Sequence, residues 1–192
     1  TICINPNKVA ELLPDWERHL TRVWNLARGV LAHEVGHARY SGEYPDQPLL
    51  AQLVNALDDE RIERAMAASN AALAPLFDLV GTAVWSQMRA RAQSSPPGQD
   101  GEWGVLSSCL VWRWEHDHPE LDSLIGLTGR WQGIWEGKVK PRVEKAWEAP
   151  STNDVIALAG EILDLLDLDL NVSAPAWVLP ALDTHGNAQA SI

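Results

Sequence analysis

Leu31-Ala32-His33-Glu34-Val35-Gly36-His37 sets two imidazoles four residues apart, with a carboxylate directly after the first. On an α-helix, residues at i and i+4 lie on one face, one turn apart. His33 and His37 can then converge on one tetrahedral Zn²⁺, each at roughly 2.0–2.1 Å. Glu34 sits one step round the helix, too far off-axis to be a third ligand. It is well placed to take a proton from a water at the metal. Such an ion lowers that water's pKa to about 7 and polarises a scissile carbonyl. The spacing points to peptide-bond hydrolysis with one Zn²⁺ per chain. His33 and His37 are then ligands, and Glu34 is general base, then acid.

A catalytic zinc needs a third protein ligand and keeps one position open. Leu53-Val54-Asn55-Ala56-Leu57-Asp58-Asp59-Glu60-Arg61-Ile62-Glu63 offers it. The main apolar stripe here is Leu49, Leu50, Leu53, Val54 and Leu57. A second stripe, Asn55, Asp59, Ile62 and Met66, runs round the other side, as expected of a helix packed on two sides. Asp59 is then a carboxylate on a mostly buried line, which is costly unless it pairs or binds a metal. Asp58 faces Ala51, Val54 and Ala65 instead. Asp59 is the preferred ligand and Asp58 the alternative. Asn55, Asp58 and Glu63 are candidates to orient an imidazole N–H. Tyr40, one turn beyond His37 on nearly the same face, is a candidate to stabilise the transition state.

The helices that must carry these groups are legible from periodicity and punctuation. Pro14-Asp15 opens the first, with the apolar stripe Leu20, Trp24, Ala27, Leu31, Val35 and Ala38 and an end near Tyr40. On this reading Arg18, Arg22, Asn25, Arg28 and Arg39 face solvent. A loop from Ser41 to Asp46 leads to a second helix over about 48–69, and a third covers about 71–93. Ser94-Ser95-Pro96-Pro97-Gly98 ends that helix. Trp-rich helical segments follow near 103–116, 118–128 and 130–148. Ser151 to Asp154 supplies capping residues for a helix over about 153–168. The first five residues, Thr1 to Asn5, alternate apolar and polar as a short strand does. The expected architecture is mainly α with a minor N-terminal β element. Residues 1–170 form one domain, with 1–70 the metal-site core and 71–170 a helical Trp-rich part. Residues 171–192 read as a linker or tail.

Composition bounds the partners. The chain of 192 residues is 46% hydrophobic, enough for a real core, and carries a formal net charge of -11. An acidic surface argues against a nucleic-acid phosphate partner. No apolar run reaches the roughly 18 residues that span a bilayer, so no membrane role is expected, and no signal peptide is read. Two cysteines, Cys3 and Cys109, are too few for a disulfide framework. A cytoplasmic location is the expectation. Ten tryptophans against one phenylalanine are expected mostly as large core residues. His116 and His118, two residues apart, cannot share a helix face, and His19 and His185 have no local support as ligands.

HExxH followed by Asn55-Ala56-Leu57-Asp58-Asp59-Glu60-Arg61-Ile62-Glu63 resembles the zincin metallopeptidase domains of bacteria and phages that are encoded with, or fused before, a von Willebrand factor A-like domain, a group termed cobaltochelatase-like. The resemblance covers roughly residues 1–66. It implies a zincin-like fold, a zinc cofactor, a peptide or protein substrate and a von Willebrand factor A-like domain as partner in cis or trans. The family's second motif commonly has Glu where Asp58 stands. A related group keeps an Asp four residues after the Asn, which corresponds to Asp59. The other class of function left open is a metal-bound scaffold or regulatory module with little hydrolytic activity, docking on a von Willebrand-type or ATPase partner.

Overall fold

The computed structural model describes residues 20–93, 101–114 and 127–172. It is mainly helical, and no strand occurs among the described residues. The elements in chain order are α1 (Leu20–Tyr40), α2 (Pro48–Ser69), a 3-10 turn (Ala71–Leu73) and α3 (Ala74–Gln93). Then come α4 (Glu102–Val111), a 3-10 turn (Trp112–Trp114), α5 (Gly129–Ile134), a π-helical stretch (Trp135–Val139), α6 (Lys140–Trp147) and α7 (Thr152–Leu165). The strand expected at Thr1 to Asn5, the start of the first helix at Pro14, His116, His118 and the tail beyond Val172 lie outside the described residues.

α2 is the central element because both of its sides are apolar. One side, with Leu49, Leu50, Leu53, Val54 and Leu57, joins residues of α4, α6 and α7 in the main core. There Val105, Leu106, Val139, Val143, Val155 and Ile162 are fully or almost fully buried. Trp112, Trp135 and Trp147 belong to this core, as expected of most of the tryptophans, and Cys109 is buried in it. The other side carries Ile62 and Met66 toward α1. Pro48 opens α2 where its missing N–H costs nothing. The N–H of Leu49 donates to the Leu170 carbonyl at 3.1 Å.

Ser151 caps α7, its hydroxyl accepting from the Asp154 N–H at 3.4 Å. The π-helical stretch precedes Pro141, which cannot donate to the carbonyl one turn back and whose ring crowds it. The helix widens there, and the N–H of Lys140 reaches Trp135.

α1 is oriented differently from its hydrophobic pattern. Leu20 and Trp24 are 66% and 65% exposed, and Leu31 and Val35 are also exposed. The face turned to the protein is Leu26, Gly29, Ala32 and Gly36. Gly29, Ala32 and Gly36 are small and let the helix axes approach. A Cβ on Gly29 would lie 2.6 Å from Val80 Cγ2 and 2.7 Å from the Leu76 carbonyl oxygen. One on Gly36 would lie 3.3 Å from Ile62 Cδ1 and from Met66 Cγ. The expected core stripe of α1 is therefore its outer face. Close backbone approach, rather than side-chain size, decides which side docks.

Candidate metal centre

With Gly36 seated on Ile62 and Met66, the edge of α1 that carries His33 and His37 is turned along α2 toward Asp59. His33 Nε2 and His37 Nε2 lie 3.1 Å apart. Asp59 Oδ1 lies 3.1 Å from His37 Nε2 and 3.7 Å from His33 Nε2. Ligand atoms of the three residues all fall within 4.8 Å of one another. Two ligand atoms on a tetrahedral zinc at roughly 2.0–2.1 Å are about 3.4 Å apart. The three edges observed are near that length.

Proton bookkeeping shows what these atoms can offer. His33 Nδ1 lies 2.8 Å from Glu63 Oε1. A carboxylate can only accept, so Nδ1 carries the proton and Nε2 the lone pair. On the other ring, His37 Nδ1 lies 3.0 Å from Ser41 Oγ. Ser41 has one hydroxyl proton and donates it to Asp58 Oδ2 at 2.5 Å. It must therefore accept from His37, so His37 also carries its proton on Nδ1. Tyr44, whose hydroxyl is 3.3 Å from His37 Nδ1, likewise donates to Asp58 Oδ2 at 3.2 Å. In the neutral rings both Nε2 atoms thus carry the lone pair, beside a carboxylate oxygen. Asp59 Oδ1 is shielded from solvent and receives no hydrogen bond of normal geometry. Three donor atoms at the edge lengths of a tetrahedral site fit a cation, and their types suit Zn²⁺.

The electrostatics agree. Burial drives His33 toward its neutral form, but the Glu63 hydrogen bond and the Asp59 and Glu63 charges outweigh it and raise its pKa above the ordinary histidine value. Burial alone would raise the Asp59 carboxyl; His37, His33 and Arg113 overcome it and hold the pKa below the ordinary aspartate value. Positive charge is favoured at this point.

Asp58 is not in the triad. It is fully buried, and its Oδ1 accepts Arg61 Nε at 2.7 Å. Arg61 Nη2 also donates to the Tyr40 carbonyl at 2.9 Å and to Thr152 Oγ1 at 3.2 Å. The N–H of Gly42 donates to the same Thr152 oxygen at 2.8 Å. Asp58 therefore acts on His37 through Ser41 and ties the end of α1 to the start of α7. Asn55 is half-buried one turn before Asp59. Glu34 is half-buried, on the edge of α1 between the histidines and the exposed stripe. The Tyr40 ring packs on the Ala32, Met66 and Phe77 cluster, and the tyrosine hydroxyl that reaches the site is that of Tyr44.

Ser41, Tyr44, Arg61, Arg113 and Thr152 were not legible as site residues. Among them only Tyr44 carried a local signal, as an aromatic residue in the loop directly after the HExxH helix. No family model, no curated protein and no solved structure matches this chain.

Proposed function

We propose that this chain is a zinc-dependent metallopeptidase of zincin-like type, held together at its centre by His33, His37 and Asp59. The observation that carries the reading is the convergence of two imidazole Nε2 atoms and the solvent-shielded Asp59 Oδ1 on one point. Zn²⁺ bound there supplies a Lewis acid that polarises a peptide carbonyl and acidifies water. Glu34, next to His33 and at the solvent side of the helix, accepts a proton and returns it to the departing amine. Glu63 and Ser41 hold the two rings by Nδ1, with both Nε2 atoms beside Asp59. The substrate class is a peptide or protein.

Elemental analysis of purified protein should give one zinc per chain. His33→Ala and Asp59→Ala should lose it. Glu34→Gln should keep the metal and the fold while cleavage of a denatured casein probe or a fluorogenic peptide pool falls about 100-fold or more. Absence of stoichiometric zinc, or undiminished cleavage by Glu34→Gln, would overturn the proposal.

The exposed Leu20, Trp24, Leu31 and Val35 stripe favours a second reading, a metal-bound scaffold that docks on a von Willebrand-type or ATPase partner. Under that reading Glu34→Gln retains biological function, whereas Leu31→Lys with Val35→Lys abolishes it.

A further inference from the structure

Asp59 and Glu63 are one turn apart on α2, so both carboxylates rise from one face toward His33. Either has the chemistry to bind a cation beside His33 Nε2. What separates them is Arg113, which arrives from the 3-10 turn after α4, 50 residues along the chain. Arg113 Nη2 donates to Glu63 Oε2, while Glu63 Oε1 takes the His33 Nδ1 proton at 2.8 Å. Arg113 Nε lies 3.1 Å from Glu60 Oε2. Glu60 Oε1 in turn accepts Arg64 Nε at 2.8 Å, and the Arg64 guanidinium lies 4.7 Å over the Trp147 ring. The Arg113 and Glu63 side chains are only 14% and 11% exposed, so solvent screens their attraction little. A guanidinium presents a rigid fork that can engage two carboxylates at once, which an ammonium matches poorly.

We propose that Arg113 is a positioning residue of the metal centre: by holding Glu63 Oε2 it keeps Glu63 on His33 Nδ1 and leaves Asp59 as the carboxylate ligand. This rests on the metal-centre reading above. Without Arg113, Glu60, Glu63 and Asp59 stand as mutually repelling carboxylates on neighbouring turns. Glu63 is then free to leave Nδ1 and turn to the cation. His33 loses the partner that fixes its ring, and the ligand set changes.

Co²⁺ is the probe. Wild type, Arg113→Gln and Arg113→Lys are titrated with Co²⁺ in competition with a chromophoric chelator, and the visible d–d band of each loaded protein is recorded. Arg113→Gln should bind about 10- to 100-fold more weakly, the range found for partners of metal-bound histidines. Its band should weaken and shift as a further oxygen joins. The His33 Nδ1–H resonance in histidine-labelled protein should be lost. Arg113→Lys should restore part of the affinity. If wild type takes up Co²⁺ and Arg113→Gln keeps the same affinity, band and resonance, the positioning role is overturned and the metal centre stands. If wild type takes up no Co²⁺, the metal centre itself falls. Should Arg113→Gln fail to fold, the pair Arg113→Gln with Glu60→Gln removes one of the two carboxylates that Arg113 bridges and must show the same changes in affinity and band.

Discussion

The Ser41 hydroxyl decides which nitrogen of His37 carries the proton. Its one proton goes to Asp58 at 2.5 Å, so it can only accept from the ring. Ser41→Ala removes that acceptor and leaves Tyr44 as the remaining oxygen near Nδ1. Zinc affinity should fall about 10-fold with the fold intact, as read by chelator competition and far-UV circular dichroism. Asp58→Ala should act on stability instead. It strips the buried Arg61 of its carboxylate partner, and an uncompensated buried charge costs about 3–5 kcal/mol; urea denaturation measures it. At this scale the sequence was readable where the chemistry is local. His33, Glu34 and His37 stand at helical spacing, and Asp59 betrays itself as a carboxylate on a line with Ile62 and Met66. The braces were not readable. Thr152 meets Asp58 across 94 positions, and no local pattern links them. Helical spacing from His37 points to Tyr40, the last residue of α1, whose ring packs on the Ala32 cluster instead. α1 stops at Tyr40, and the chain then folds back, bringing the Tyr44 ring to 6.5 Å from that of His37.

α2 followed its pattern closely, including both of its packed sides and its start at Pro48. α1 kept its expected end, and Arg22, Arg28 and Arg39 are exposed as expected, but the expected apolar stripe is exposed too. Hydrophobic periodicity ranks faces by apolar side-chain size, whereas α1 docks through Gly29, Ala32 and Gly36, which such a pattern scores as neutral. Their role lies in distance, and distance gives the prediction. Gly29→Ala drives a methyl to 2.7 Å from the Leu76 carbonyl oxygen. Backbone of a neighbouring helix cannot swing aside as a side chain can, so α1 must lift off α3. A cost of about 1–3 kcal/mol is expected, typical of overpacking. Gly36→Ala should cost less, because at 3.3 Å its neighbours are side-chain atoms of Ile62 and Met66 rather than backbone. Thermal unfolding of the two variants side by side checks the order. The same displacement of α1 carries His33 and His37 away from Asp59, so Gly29→Ala should also weaken zinc binding, although Gly29 lies a full turn before His33.

Across the described residues, the large core joins α2 to α4, α6 and α7, while α1 contributes Leu26 and Ala32, with half-buried Val23 and Tyr40, to small clusters with α3 and Met66. Much of what holds α1 is polar: the Arg61 bond to the Tyr40 carbonyl, the Gly42 bond to Thr152 and the triad itself. A metal bound at His33, His37 and Asp59 would bridge α1 to α2, so it should stabilise that attachment more than the rest of the fold. At free zinc about 100 times its Kd the linkage amounts to about 2.7 kcal/mol. For a chain of 192 residues that corresponds to roughly 5–10 °C in Tm. Chelation should therefore lower Tm by that amount, and His33→Ala should show no response to chelator. The loss should also be uneven. Amides of Leu20–Tyr40 depend on the bridge, whereas Thr152–Leu165 belongs to the metal-independent core. In hydrogen exchange, chelator should accelerate the first helix well before the last. Equal acceleration of both would mean that the metal holds the whole molecule and not one helix. No acceleration of Leu20–Tyr40 would mean that the small-residue seam alone keeps α1 in place.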